Sequence, residues 1–202
     1  LFSNVRSSAS NGSHQDTLFL AEVPPFGYRT YWLGETEDGG VKARSGLKAG
    51  KSFLENEFMR VEFDRKTGGI SRLLDKKSGI EYCGNRQLGI PVVLRDEKTD
   101  TWAHNVFTFD DFIGPMQLES MELVEKDGVR AVLRLRFVYE KSYLSCDYIL
   151  AQSASVLRVK CRALWQEKFT IVKIPFALGG SEPRFTSQIP SGFLVREPVG
   201  TE

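Results

Sequence analysis

The sequence predicts an all-β fold, and three observations predict it. Apolar and polar residues alternate at period two in several separate stretches. Glycine, proline and Asp-Gly turn signals fall between those stretches at short intervals. Nowhere does an apolar pattern of helical period persist for three turns. Strands of roughly 6–10 residues with frequent turns describe an antiparallel β-sandwich, two sheets packed face to face.

The elements follow in chain order. Residues 1 to 16 are rich in Ser, Asn and Gly and read as a linker or frayed end. Thr17 to Val23 is a short apolar strand. Pro24-Pro25 ends it, Gly27 supplies a turn, and Tyr28 to Leu33 is a second, aromatic strand. Gly34 to Lys51 is Gly-rich and charged, a connection between β units. The chain therefore divides into residues 1–50, a linker with a short β segment, and residues 51–202, the main sandwich domain.

Phe53 to Arg95 holds the clearest hairpin. Met59, Val61 and Phe63 alternate with Arg60, Glu62 and Asp64, which leaves one wet face. Lys66-Thr67-Gly68-Gly69 turns the chain, since glycine reaches positive φ without a steric penalty. Ile70 to Asp75 returns, and Lys76-Lys77-Ser78-Gly79 turns it again. Met121 to Glu125 is joined through Asp127-Gly128 to a long strand. There Val129, Ala131, Leu133, Leu135, Phe137 and Tyr139 share one parity against Arg130, Arg134 and Arg136. Leu144, Cys146, Tyr148 and Leu150 form the next row, and Leu157, Val159, Cys161, Ala163 and Trp165 the one after. Thr170 to Leu178 is a further strand, which Pro175 confines to an edge or a bulge.

Composition limits the function. Among 202 residues, 27 Lys and Arg face 26 Asp and Glu, a net charge of +1. Nucleic-acid binding wants a concentrated basic excess, so it is not expected. Hydrophobic residues at 41% and charged residues at 26% match a globular domain. No apolar run approaches the roughly 18 residues that span a bilayer, so no membrane partner is expected. The chain runs from Leu1 to Glu202 with no initiator Met or signal-peptide pattern, and a piece of a longer protein is expected. Its compartment is left open, leaning to the cytoplasm. Cys83, Cys146 and Cys161 are odd in number and widely spaced, which supports neither a disulfide framework, built on pairs, nor a zinc site, built on close spacing. Cys146 and Cys161 lie in apolar strand-like stretches, where a buried thiol is the ordinary reading.

The most unusual local sequence is Asp100-Thr101-Trp102-Ala103-His104-Asn105. In an extended chain Asp100, Trp102 and His104 would project to one face. A carboxylate, an indole and an imidazole together suit a sugar: the ring stacks on C–H groups while the polar groups take hydroxyls. The plainer alternative is a half-buried Trp102 with His104 bonded to a local partner. Asp110-Asp111 point to opposite faces of an extended chain and make a poor two-carboxylate pair. With His14 near the start, His104 is the only imidazole placed in the main domain, too little for a catalytic zinc site or a triad. Gly179-Gly180 lacks the strand–loop–helix setting of a phosphate cradle. The alternating arginines read as a solvated strand face. No catalytic residue and no metal ligand are assigned.

Four segments, in order from about residue 18 to 198, resemble the β-rich region that follows the catalytic domain in glycoside hydrolase family 38 α-mannosidases. They are Val23-Pro24-Pro25-Phe26-Gly27-Tyr28-Arg29-Thr30-Tyr31, Leu54 to Asp64 running on through Gly68-Gly69 to Lys76, Asp100 to His104, and Ile189-Pro190-Ser191-Gly192 through Arg196 to Pro198. In the last, Ser191 stands where the family has an aromatic, and Glu197 separates Arg196 from Pro198. The resemblance implies a galactose-mutarotase-like supersandwich, complete or in part. It further implies a retaining exo-glycosidase as the parent protein, acting on α-mannosides in mannose and oligosaccharide metabolism. The parent's zinc, nucleophile and acid/base carboxylate belong to an N-terminal barrel whose motifs do not occur in this sequence. The partners it implies are that catalytic domain and an α-mannoside, with homo-oligomerisation left open. Asp100, Trp102 and His104, and then Arg196, are the residues that would touch sugar. Alternatives are a stand-alone carbohydrate-binding module, a structural domain, or a mutarotase-like epimerase, which one placed His disfavours.

Overall fold

The computed structural model describes residues 2–8, 14–32, 46–97, 102, 104, 108–176 and 184–196. Among them there are fifteen strands and no helix. In chain order they are β1 Phe2–Ser8, β2 His14–Leu20, β3 Lys48–Gly50, β4 Phe53–Glu55, β5 Met59–Phe63, β6 Ile70–Asp75, β7 Val92–Arg95 and β8 Phe112–Pro115. There follow β9 Gln117–Lys126, β10 Arg130–Tyr139, β11 Ser142–Ala151, β12 Arg158–Leu164, β13 Thr170–Lys173, β14 Phe185–Ile189 and β15 Gly192–Arg196. Every strand pairing is antiparallel.

Two four-stranded sheets, β3-β4-β5-β6 and β12-β11-β10-β9, make the body of the all-β sandwich. The alternation decides which side chains they bury. Leu54, Val61, Phe63 and Ile70 come from the first sheet, and Leu133, Leu135, Phe137, Leu144, Tyr148 and Leu150 from the second, in one cluster. Phe63 and Tyr148 meet edge to face across it, with ring centroids 4.7 Å apart. A three-stranded sheet, β13-β7-β8, adds Val93 to the same cluster. Two hairpins, β1-β2 and β14-β15, complete the elements.

Three hairpin turns are built on one device. The carboxylates of Asp64, Asp75 and Asp127 each accept backbone N–H groups two and three residues ahead. A glycine at positive φ stands in each turn: Gly68 at 76°, Gly79 at 72° and Gly128 at 92°. Asn56 holds the sandwich together at another corner. Its Oδ1 accepts Phe58 N and Met59 N at 2.9 Å, and its Nδ2 donates to Ala151 O and Ala154 O at 2.8 Å.

The outer face of β10 is basic and paired. Arg130 meets Glu125, and Arg136 pairs with Glu119 and lies over the Tyr143 ring. Arg134 grips Asp147 through two bonds of 2.6 and 2.9 Å, and Arg162 adds a third at 2.9 Å. The row is thus neutralised by cross-strand acids, as its reading as an ordinary strand face expects. The Arg134 guanidinium, opposed by a smaller cost of burial, holds the Asp147 carboxyl below its usual range. A depressed folded value means the stabilisation is complete above about pH 4 and is lost as pH falls through that folded value. Asp147→Asn should therefore cost about 2 kcal/mol at neutral pH and flatten the acid limb of stability. Urea midpoints of both proteins from about pH 6 to about pH 2 check this, and parallel profiles would contradict it.

Four expectations need correction. Residues 2–8 and 14–20 are paired strands, with Val5 opposite Thr17, and not a frayed linker. Backbone pairing satisfies main-chain donors whatever the side chains, so Ser and Asn do not prevent a hairpin. Residues 28–32 form no strand. The Tyr31 hydroxyl instead accepts Glu22 N at 2.7 Å and donates to Glu22 O at 2.6 Å, closing the Pro24–Gly27 turn with a side chain. β13 stops at Lys173, before Pro175, which does lie beyond an edge strand. Cys146 is buried as expected, but Cys161 opposite it is exposed.

Candidate functional site

β7 and β8 are hydrogen-bonded neighbours, with Leu94 opposite Phe112. In sequence, residues 96–111 lie between these paired strands, and Trp102 and His104 fall at the middle of that span. Both occupy turns rather than extended chain, so alternation does not set their directions. Trp102 is 80% exposed and His104 is exposed. Asp100 lies outside the described residues. Arg196 ends β15 opposite Phe185, and its side chain is likewise outside them. Asp110 and Asp111 are exposed; Asp110 accepts from Thr108, and Asp111 offers its carbonyl to Arg95 N at 2.8 Å. An exposed indole has a flat apolar face, the shape on which a sugar ring stacks.

A cleft of about 630 Å³ opens between the β5–β6 hairpin and the segment entering β12. Met59, Leu73, Leu157, Val159 and Phe176 give it apolar walls, with Asp75 among its few polar members. The Asp75 carboxylate is already committed to its own turn, accepting from the Ser78 hydroxyl and from Lys77 N. Those bonds hold its ionisation below the usual range. Among the described residues, the fold moves the ionisation of Glu55, Glu62, Asp64, Asp75, Asp127 and Asp147, and moves each of them down. A general acid working near neutral pH needs the opposite shift. Among the described residues, no three His, Cys, Asp or Glu side chains come together as metal ligands would.

Two apolar surfaces lie open. In β12, Val159, Cys161 and Ala163 stand opposite Tyr148, Cys146 and Leu144, so they continue the core face of the sheet. Their partners on β11 are buried, yet all of β12 is exposed. Phe26, Tyr28 and Trp32 are exposed as well. Sequence reasoning missed the Asn56 tie and the Asp147 clamp. The signal for the clamp was present, a single acid within an apolar strand flanked in sequence by two arginine-bearing strands.

The fold and its open surfaces define an antiparallel β-sandwich domain with apolar area left to be covered. The chain belongs to the glycosyl hydrolases family 38 C-terminal domain, whose family model matches residues 54–201. No curated protein matches it.

Proposed function

We propose that this chain is the supporting β-sandwich of an α-mannosidase-type retaining glycosidase, with the catalytic pair on a neighbouring domain. One observation carries the reading: the core face of the larger sheet runs out uncovered along β12. Exposed apolar area of this kind marks a surface that another domain covers. The exposed aromatics Phe26, Tyr28 and Trp32 extend the same reasoning to the segment before the main domain, within residues 1–50. In this reading residues 51–202 are the sandwich proper. The Asp100–His104 segment lends Asp100, Trp102 and His104 to the sugar, and Arg196 is a further contact.

The chemistry assigned to the parent is two-carboxylate glycoside hydrolysis with retention, one group attacking the anomeric carbon and the other protonating the leaving oxygen. Zinc would supply orientation of sugar hydroxyls from the catalytic domain. This chain's part is shape, burial and a stacking surface. The purified 202-residue chain is expected to leave an aryl α-mannoside intact with or without added zinc. Zinc-dependent hydrolysis by the chain alone would overturn the division of labour.

The exposure of Trp102 favours a second reading, a carbohydrate-binding module that works unaided. It requires saturable quenching of Trp fluorescence by mannose or oligomannosides, abolished in Trp102→Ala. A flat titration rules it out and leaves the first reading standing.

A further inference from the structure

Cys146 and Cys161 are direct cross-strand partners on β11 and β12, and their sulfurs lie 3.4 Å apart. Directly opposed residues of an antiparallel pair have Cα atoms about 4.5 or 5.5 Å apart, and both spacings fall within the range that disulfides span. Only the sulfurs must close, from 3.4 Å to about 2.05 Å. β12 can supply that movement, because it is the edge strand of its sheet and has one hydrogen-bonded neighbour. The two thiols differ in access: Cys161 is exposed, whereas Cys146 is 1% exposed and faces the core. The third thiol, Cys83, is buried, with its sulfur directed at Ile70 O.

We propose that Cys146 and Cys161 are a modification site, a thiol pair that, while the core face of β12 is open and before a neighbouring domain covers it, forms a reversible disulfide across β11 and β12 by exchange with a low-molecular-weight disulfide of the glutathione type. The accessible Cys161 thiolate attacks one sulfur of oxidised glutathione, forming a Cys161–glutathione disulfide. One glutathione thiolate leaves and takes up the proton that Cys161 gave to solvent. Cys146 then loses its proton and attacks the Cys161 sulfur, and the second glutathione thiolate leaves with that proton. Two protein thiols are oxidised and one small disulfide is reduced to two thiols. Burial, with the facing Cys161 thiol, pushes the Cys146 thiol up, so it enters second, when the mixed disulfide sits directly before it. The bond would tie down an edge strand whose core face is open, which gives the oxidised chain a stiffer β12.

The test treats the full 202-residue chain, in a Cys83→Ser background, with oxidised glutathione and follows intact mass and peptide linkage. The expected product is lighter by two hydrogens, contains a linked Cys146–Cys161 peptide, and returns to the starting mass with dithiothreitol. Adding Cys146→Ser should instead trap one glutathione on Cys161. Should that variant fail to fold, the time course with Cys146 present decides alone, through linked peptide against persistent adduct. A glutathione adduct that persists on Cys161 with Cys146 present would overturn the proposal, as would two thiols that remain free to alkylate.

Discussion

Replacing Asn56 with Ala is expected to lower the unfolding free energy by about 4 kcal/mol, a large share of a domain's total stability. The side chain is 1% exposed and makes four hydrogen bonds at once. Its oxygen satisfies two N–H groups in its own β4–β5 turn, and its nitrogen reaches two carbonyls at the end of β11. Truncation strands donors on one sheet and acceptors on the other, each costing about 1–3 kcal/mol where water cannot replace the partner. Asn56→Asp separates the two halves of this claim. A carboxylate still accepts from Phe58 N and Met59 N but cannot donate, and it faces the carbonyls of Ala151 and Ala154 with like polarity. It should therefore be as damaging as the alanine variant. Urea unfolding of both variants checks this; an aspartate variant near wild type would mean the link to β11 contributes little.

Period-two alternation made the body of the fold legible. It marks Met59 to Phe63, the long apolar rows of β10 and β11, and Ile70 to Asp75, which is β6 end to end. What it cannot mark is a strand that carries no alternating apolar row, and so the Ser- and Asn-bearing Phe2–Ser8 strand, paired with β2, escaped it. The β10–β11 connection escaped for a related reason. Glu140-Lys141 carries none of the Gly, Asn or Asp signals of a two-residue turn, yet Glu140 takes φ of 49° because two ten-residue strands are paired on either side of it. Alternation also tells which residues share a face and not what covers that face. Cys161 has the pattern of a buried residue and is exposed, because β12 lies past the reach of the opposing sheet. The candidate site is less legible still. Trp102 and His104 sit in turns, where no period relates one side chain to the next.

Gly68→Ala is expected to cost about 3 kcal/mol, from two separable causes. The first is local. Gly68 holds φ at 76°, and an L-residue pays roughly 1–2 kcal/mol there. The second is tertiary. A Cβ at Gly68 would lie 2.7 Å from Phe137 Cε1 and 2.9 Å from Leu118 Cδ1. Phe137 is fully buried among β10 neighbours and cannot swing aside without opening the cluster, so the methyl adds an overpacking cost of about 1–3 kcal/mol. Gly79→Ala is the control that the fold itself provides. Its φ is 72°, almost the same, and nothing lies within 4 Å of the added carbon. That variant should lose only the local share, about 1 kcal/mol. Thermal or urea unfolding of the two proteins side by side measures the difference. Equal losses would mean that the β5–β6 turn is not pressed against Phe137 and Leu118 of the opposite sheet.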